Sequence, residues 1–384
     1  MKKNILIVGP IVDFGGREIM TNLLFNALKD DYKVKIFSTV SISQKSVALK
    51  GIKNTEWNSL QRYIFTKKWF INLTALLTKT IYKKKEPAYY FIRNRLSKPF
   101  FNFEKISSSV LIKHLEEADL IIYSDEICGK WLKTILELSK QEKKIVLLRL
   151  TGEIKNVPQF LVSENYKFEV LAHSKQNAKA IKNKLNTKVW NIDQTTALED
   201  KLLSLPIAEN DTIIYGFLGR FGKEKGIELL INTFNKNNKN LIIAGNGPYL
   251  NDVLELAKQN KNVSYLGELA HENLPDFFNK IDVFIIPSFE EGGPIVGIEA
   301  MASGKLIIST RVGAMPERLE NTEHNIWISH AEKNSLDLAI NSIEKLSQEE
   351  RLKIRHQLRE KYISQNSFKF IKSEYLDVVQ KLLA

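Results

Sequence analysis

From Asn4 to Gly9 the chain reads NILIVG, an apolar run of strand length. After a polar loop ending in Gly15-Gly16, the segment REIMTNLLFNALKD spaces its apolar residues at the helical period. YKVKIFST then reads as a second strand, and ADLIIYS, KKIVLLRL and FEVLAHS repeat the strand pattern further on. Strand, glycine loop, helix and strand in that order predict a doubly wound parallel sheet, in which ligands lie at the carboxyl ends of the strands. After the polar stretch from about Asp193 to Asp211 the pattern restarts. Strands are predicted in TIIYGFLGR, KNLIIAGNGP, VSYLGEL, DVFIIPS and KLIIST, with helices in GIELLINTFNK, YLNDVLELAKQ, NLPDFFNK and PIVGIEAMASG between them. The last segments, SLDLAINSIEKLSQEERLKIRHQLREKY and FKFIKSEYLDVVQKLL, are helical by period. The expected fold is α/β, with two doubly wound Rossmann-like domains over 1–195 and 212–363, a linker over 196–211 and a closing helix over 364–384. Their facing strand ends are expected to leave a cleft.

The length of 384 residues suits two cores, and 43% hydrophobic with 26% charged residues excludes a largely disordered chain. The single cysteine, Cys128, excludes an internal disulfide and any multi-cysteine metal site, and is expected to pack plainly. The N-terminal apolar run Ile5 to Val8 is too short for a signal peptide and reads as a buried strand. The chain is therefore expected to be cytoplasmic and peripheral on the inner face of the cell membrane.

The stretch PSFEEGGPIVGIEAMASGK, Pro287 to Lys305, cannot be one continuous helix, because adjacent glycines and a proline interrupt it. As strand, loop and helix it places Glu291, Gly292 and Gly293 at a strand end and Pro294 in the first helical turn. Gly304 then falls where a helix C-terminus favours positive φ. Open amides from Gly293 through Ile295 to Val296 would seat a phosphate, and Glu299 could accept from vicinal hydroxyls. In FLGRFGKEKGIELLI, Arg220 lies past a strand end and Lys225 opens the next helix, two cations able to reach one diphosphate. GNGP at Gly245 to Pro248 lacks the third glycine of a dinucleotide loop, since Leu250 stands there, and reads as a turn.

Arg220 with Lys225 and Gly226, the IIAGNGP turn, VSYLGEL, NLPDFFNKIDVFIIPS and the Glu291–Glu299 pair followed by AMASGKLIIST fall in register. Together they resemble the C-terminal domain of GT-B glycosyltransferases, close to the retaining group called family 4 (glycosyl transferases group 1). The resemblance runs from about Thr212 to Pro316 and reaches the N-terminal domain only in the Gly15-Gly16 loop and strand order. It implies a hexosyltransferase that uses a nucleotide diphosphate sugar, a UDP- or GDP-sugar, with retention and without metal or cofactor. In that family's terms Glu299 would hold the ribose and Arg220 and Lys225 the diphosphate. Glu291 would hold the donor sugar, Gly15 and Gly16 would close over the phosphates, and Leu269 would lie near the base. Residues 1–195 would bind the acceptor, with the helix 364–384 returning to them. The family's N-domain histidine has no direct counterpart here; Thr151 and His173 are the two alternatives. A catalytically silent GT-B subunit is the rival reading, disfavoured by the retention of all four charged residues.

From Gln61 to Phe100 ten basic residues face Glu86 alone, a local net of +9 within an overall +12, interleaved with aromatics. This pattern suits an anionic membrane surface, nucleic acid or a merely solvated face. With the family resemblance it implies an anionic membrane partner, no nucleic acid, and a saccharide or polyprenyl-diphosphate-linked saccharide acceptor in cell-surface polysaccharide assembly.

Overall fold

Runs that carry branched and aliphatic residues without alternation become strands covered on both faces. The computed structural model describes residues 2–150, 156–208, 210, 212–324, 326–330 and 334–384. Its first sheet holds β1 (Asn4–Gly9), β2 (Lys33–Ser38), β3 (Trp57–Ser59), β4 (Leu120–Asp125), β5 (Ile145–Leu150), β6 (Glu169–Ala172) and β7 (Val189–Asn191). Their spatial order is β3-β2-β1-β4-β5-β6-β7. The second sheet holds β8 (Ile214–Leu218), β9 (Asn240–Ala244), β10 (Val263–Tyr265), β11 (Val283–Ile286), β12 (Leu306–Thr310) and β13 (Trp327–Ile328), ordered β10-β9-β8-β11-β12-β13. Every paired strand is parallel, with Ile5 opposite both Val34 and Leu120, and Val283 opposite both Tyr215 and Leu306. The chain thus forms two doubly wound α/β units, as the alternation predicts.

The first compact unit comprises Met1–Ala172, Asn177–Ile192 and Lys372–Ala384, and the second His173–Gln176 and Asp193–Ile371. In the first, Leu6, Val8, Ile121, Leu148 and Val170 build the core under the helices, and a smaller cluster of Ile64, Ile71, Ala75, Ile92 and Phe103 sits beneath the basic stretch. In the second, Tyr215, Phe217, Phe221, Phe234, Phe277 and Phe278 fill the space around the sheet. In each unit the strand order reverses once, between β1 and β4 and between β8 and β11. Loops leaving the strand ends at such a reversal diverge and open a crevice for ligands.

Some elements differ from expectation. The long segment after Asn334 divides into Ser335–Lys345 and Gln348–Gln365, because Ser347 and Glu350 form a reciprocal capping box that starts a second helix. Pro294 is the N-cap of the helix Ile295–Ala302 rather than a residue of its first turn. Cys128 is exposed, not packed, with its Sγ 3.7 Å from the Asn156 carbonyl oxygen. Thr151 and Gly152 lie outside the described residues.

Candidate active site

The reversal point of the second unit gathers most of the charged residues singled out by spacing. β8 ends at Leu218, and the fully buried ring of Phe221 anchors the following turn, its N–H donating to the Asn246 carbonyl at 2.8 Å. Arg220, next to this anchor, is exposed to solvent. The chain then makes a 3₁₀ turn, Lys223–Lys225, and passes through Gly226 at φ 69°. A β-carbon there would stand 1.9 Å from the Pro287 carbonyl oxygen, so both the left-handed conformation and the close approach require glycine. That approach sets the turn against the end of β11, where the Phe289 N–H donates to the Glu224 carbonyl at 2.9 Å.

This apposition brings Lys225 to Glu291. The Lys225 Nζ lies 2.5 Å from Glu291 Oε1, and the Ser288 hydroxyl donates to the same oxygen at 3.1 Å. The lysine is more exposed than the carboxylate, 29% against 13% of each side chain, so the pair sits at a rim rather than in the core. Phe289, half exposed, stacks on His330 with centroids 3.7 Å apart, while His330 Nε2 lies 3.2 Å from the Ser288 carbonyl oxygen.

Gly292 and Gly293 then lead into the helix Ile295–Ala302, whose first amides receive no side-chain cap. The N–H groups of Ile295 and Val296 therefore remain a candidate anion seat, assisted by the helix dipole. Glu299, in the second turn, is 1% exposed. Its Oε1 accepts from the Thr196 hydroxyl at 3.0 Å and lies 3.4 Å from His271 Nε2. Two residues before His271, Leu269 is half-buried against the core. At the other end of this helix Gly304 has φ 61°, the left-handed C-terminal position its place in the sequence predicts.

Thr196, His271 and Arg318 are the residues that spacing along the chain did not reveal. Arg318, 1% exposed, forks onto Asp193, with Nε 2.9 Å from Oδ2 and Nη2 2.6 Å from Oδ1. Its Nη1 donates to the Pro294 carbonyl at 2.7 Å, so one guanidinium fixes the start of the Ile295–Ala302 helix. Burial pushes the Asp193 carboxyl up, but the Arg318 guanidinium and the Asn366 amide outweigh it and hold the carboxyl below its ordinary range. Beside it, burial pushes the Glu317 carboxyl up to about 7, while the Lys175 N–H, 2.8 Å from Oε1, partly opposes that rise.

Gly15 and Gly16 belong to the first unit, where Gly15 closes the loop after β1 at φ 146° and Gly16 opens the helix Gly16–Leu28. The carboxylate of Glu18 turns back to accept the Val12 N–H at 3.1 Å. His173, just past β6, is 6% exposed. Among the described residues no group of acidic, histidine or cysteine side chains is placed to hold a metal ion.

Two parallel-sheet Rossmann-like units of seven and six strands define a GT-B fold. The crystal structure of a glycosyltransferase from Rickettsia africae superposes over 100% of this chain and 99% of its own, with TM-score 0.71 and 16% identity. The Anabaena protein Alr3699/HepE, solved with UDP and glucose, does so over 99% and 100%, with TM-score 0.69 and 16% identity. Residues 204–363 match the family Glycosyl transferases group 1, a stretch that contains Arg220, Lys225, Leu269, Glu291 and Glu299. In sequence the chain is similar to an uncharacterized glycosyltransferase of Methanocaldococcus jannaschii, 28% identical over 218 residues, 53% of this chain and 55% of that protein. It is also similar to the capsular polysaccharide biosynthesis glycosyltransferase CapM of Staphylococcus aureus, 31% identical over 154 residues, 38% and 39% of the two chains. The chain spans 55% or less of the length of these curated relatives.

Proposed function

We propose that this chain is a retaining, metal-independent glycosyltransferase of the family 4 type. It would move a hexosyl unit from a UDP- or GDP-sugar to a lipid-linked saccharide acceptor during cell-surface polysaccharide assembly. The observation that carries the reading is the sequence of groups around one helix: the Lys225–Glu291 pair before it, open amides at its start, and Glu299 in its second turn. Carboxylate, anion seat and carboxylate match sugar, diphosphate and ribose in order. The family match over 204–363 supports this order, and the capsular relative supports the class of product.

On this reading the donor diphosphate takes the positive charge of Lys225 in place of Glu291, and Arg220 closes on it from solvent. Negative charge grows on the diphosphate as the glycosidic bond breaks, so fixed cations and helix amides stabilise the transition state more than the bound ground state. Glu291, freed of the lysine, accepts from donor sugar hydroxyls. The acceptor hydroxyl attacks from the face the diphosphate leaves and passes its proton to a departing phosphate oxygen, which retains the anomeric configuration.

A thermal-shift screen of UDP-, GDP- and ADP-sugars tests the donor reading, because a ligand that binds only the native state raises its apparent stability. One nucleotide sugar is expected to raise the midpoint, and Glu291→Gln to lower turnover more than donor affinity. Absence of stabilisation by every nucleotide sugar would overturn the assignment.

A further inference from the structure

The helix Trp69–Ile81 has two apolar faces, and only one is used inside the protein. Ile71 and Ala75 are buried in the small cluster with Ile64, Ile92 and Phe103. Trp69, Leu73, Leu76, Leu77 and Ile81 lie on the opposite side, spaced by four, three, one and four residues, and all are exposed; Trp69 reaches 77% and Ile81 67%. At helical spacing these five side chains form one continuous stripe. Phe70 extends it by an edge contact to Trp69 at 5.7 Å and another to Phe100 at 5.8 Å, itself 71% exposed. The one hydroxyl on the stripe, Thr80, is satisfied within the helix by donating to the Leu76 carbonyl at 3.0 Å. Isolated exposed apolar residues are ordinary, whereas a contiguous stripe of this kind marks an interaction surface.

The charges around the stripe identify what covers it. Lys67 and Lys68 precede the helix and Lys83, Lys84 and Lys85 follow it, all exposed and none with an ion-pair partner among the described residues. Lys67 ends the preceding helix Leu60–Lys67 and Lys68 caps it, so both suit that helix's C-terminal dipole, as Lys83 suits the end of Trp69–Ile81. What points outward is the positive charge that the five leave at both ends of the stripe, with no carboxylate against it among the described residues. A second copy of the chain is a poor occupant, since an antiparallel pairing would set Lys67 and Lys68 of one copy against Lys83 to Lys85 of the other. At 13 residues the helix is about 20 Å long, too short to cross a hydrocarbon layer of roughly 30 Å. No helix among the described residues is long and apolar enough to do so.

We propose that Trp69–Ile81 lies in the plane of an anionic lipid bilayer, its stripe buried at the acyl boundary and the flanking lysines on lipid phosphates. This deepens the lipid-linked acceptor reading and rests on it only for the purpose of docking; the surface itself stands on the helix. Of the aromatics in the basic stretch, Trp69, Tyr82 and Phe100 face outward. Tyr90 does not, because its hydroxyl points back to Asp13 Oδ2 at 3.4 Å.

The test is flotation of the purified full chain with vesicles of phosphatidylcholine alone and of phosphatidylcholine mixed with phosphatidylglycerol. The wild type is expected to float only with the anionic vesicles. Leu73→Gln/Leu77→Gln and Lys83→Gln/Lys84→Gln/Lys85→Gln are each expected to weaken that binding at least tenfold. Brominated lipid in anionic vesicles is expected to quench part of the tryptophan emission of the wild type, a component missing from Trp69→Phe, and this reading does not depend on how well the leucine variant folds. Anionic flotation unchanged in the leucine variant, no flotation on either vesicle, no quenching, or a lipid-free dimer dissolved by Leu73→Gln/Leu77→Gln would each overturn the proposal. Nucleotide-sugar thermal shifts are expected to be unchanged in both variants. Flotation without any nucleotide-sugar shift would sink the donor reading and leave this one intact.

Discussion

Two ion pairs of the second unit differ in the burial of their cations. Lys225, part exposed, meets Glu291 at a rim, while Arg318, fully buried, holds backbone in place from inside. Removing one member of a fully buried pair costs about 3–5 kcal/mol, but Asp193 keeps 20% of its side chain exposed, so solvent compensates part of the charge that Arg318 would leave. Arg318→Met is therefore expected to lose about 1–3 kcal/mol of stability at neutral pH in urea unfolding. The pH dependence has a definite sign. Asp193 has its folded-state pKa below the ordinary 3.8, so its contribution is present above 3.8 and disappears as pH falls through the folded value. The difference between wild type and Arg318→Met should accordingly shrink below pH 3.8, and a constant difference across that window would refute the assignment of the loss to Asp193. Lys225→Met, by contrast, should change stability little, because a part-exposed pair contributes about 0–1 kcal/mol.

At the scale of elements, a segment that carries its own signal is legible and one defined by distant partners is not. The strands β1, β4, β8, β11 and β12 announce themselves as apolar runs because both their faces are covered. The edge strands WNS, VWN and WI, with only two or three residues each, do not, since their pairing is set by the neighbouring strand. The loop–helix from Glu291 to Glu299 is legible for the same local reason: glycines, proline and carboxylates fix its geometry in one short stretch. Thr196 reaches Glu299 across 103 residues and Arg318 reaches Asp193 across 125, separations at which no periodicity speaks. The short helix Met315–Leu319 carries a further consequence. Glu317 has its folded pKa raised from 4.5 to about 7, so between those values the folded state holds a proton that the unfolded chain has released, and stability falls as pH rises. Its contribution is complete below pH 4.5 and gone above about pH 7. Glu317→Gln, which keeps an oxygen for the Lys175 N–H, should flatten that slope and raise stability at pH 8 by about 1–3 kcal/mol, less than the full shift because solvent reaches part of the carboxyl. An unfolding series from pH 4 to pH 8 that shows the same slope in both proteins would exclude Glu317 as its source.

Over the whole molecule most of the net positive charge lies in one run, +9 of the overall +12, and it is separate from the pair of cations at the candidate site. The run from Gln61 to Phe100 belongs to the first unit and flanks an exposed apolar helix, whereas Arg220 and Lys225 stand at the strand reversal of the second. The first arrangement suits a surface of many phosphates bearing an apolar interior, the second a single diphosphate. If the second pair of cations meets the charge that grows on a leaving diphosphate, a divalent ion has no further task there, since its Lewis-acid role would duplicate theirs. Glycosyl transfer by the purified chain is therefore expected to survive dialysis against EDTA with less than about a twofold loss of rate. Arg220→Ala should then be the variant that becomes sensitive to added Mg²⁺ or Mn²⁺, because an ion can restore part of the missing charge beside the diphosphate. Steady-state rates for both proteins, with chelator and with each ion, decide the matter: abolition of wild-type transfer by EDTA and recovery on adding either ion would assign the leaving-group charge to a metal and return Arg220 to the role of solvated surface.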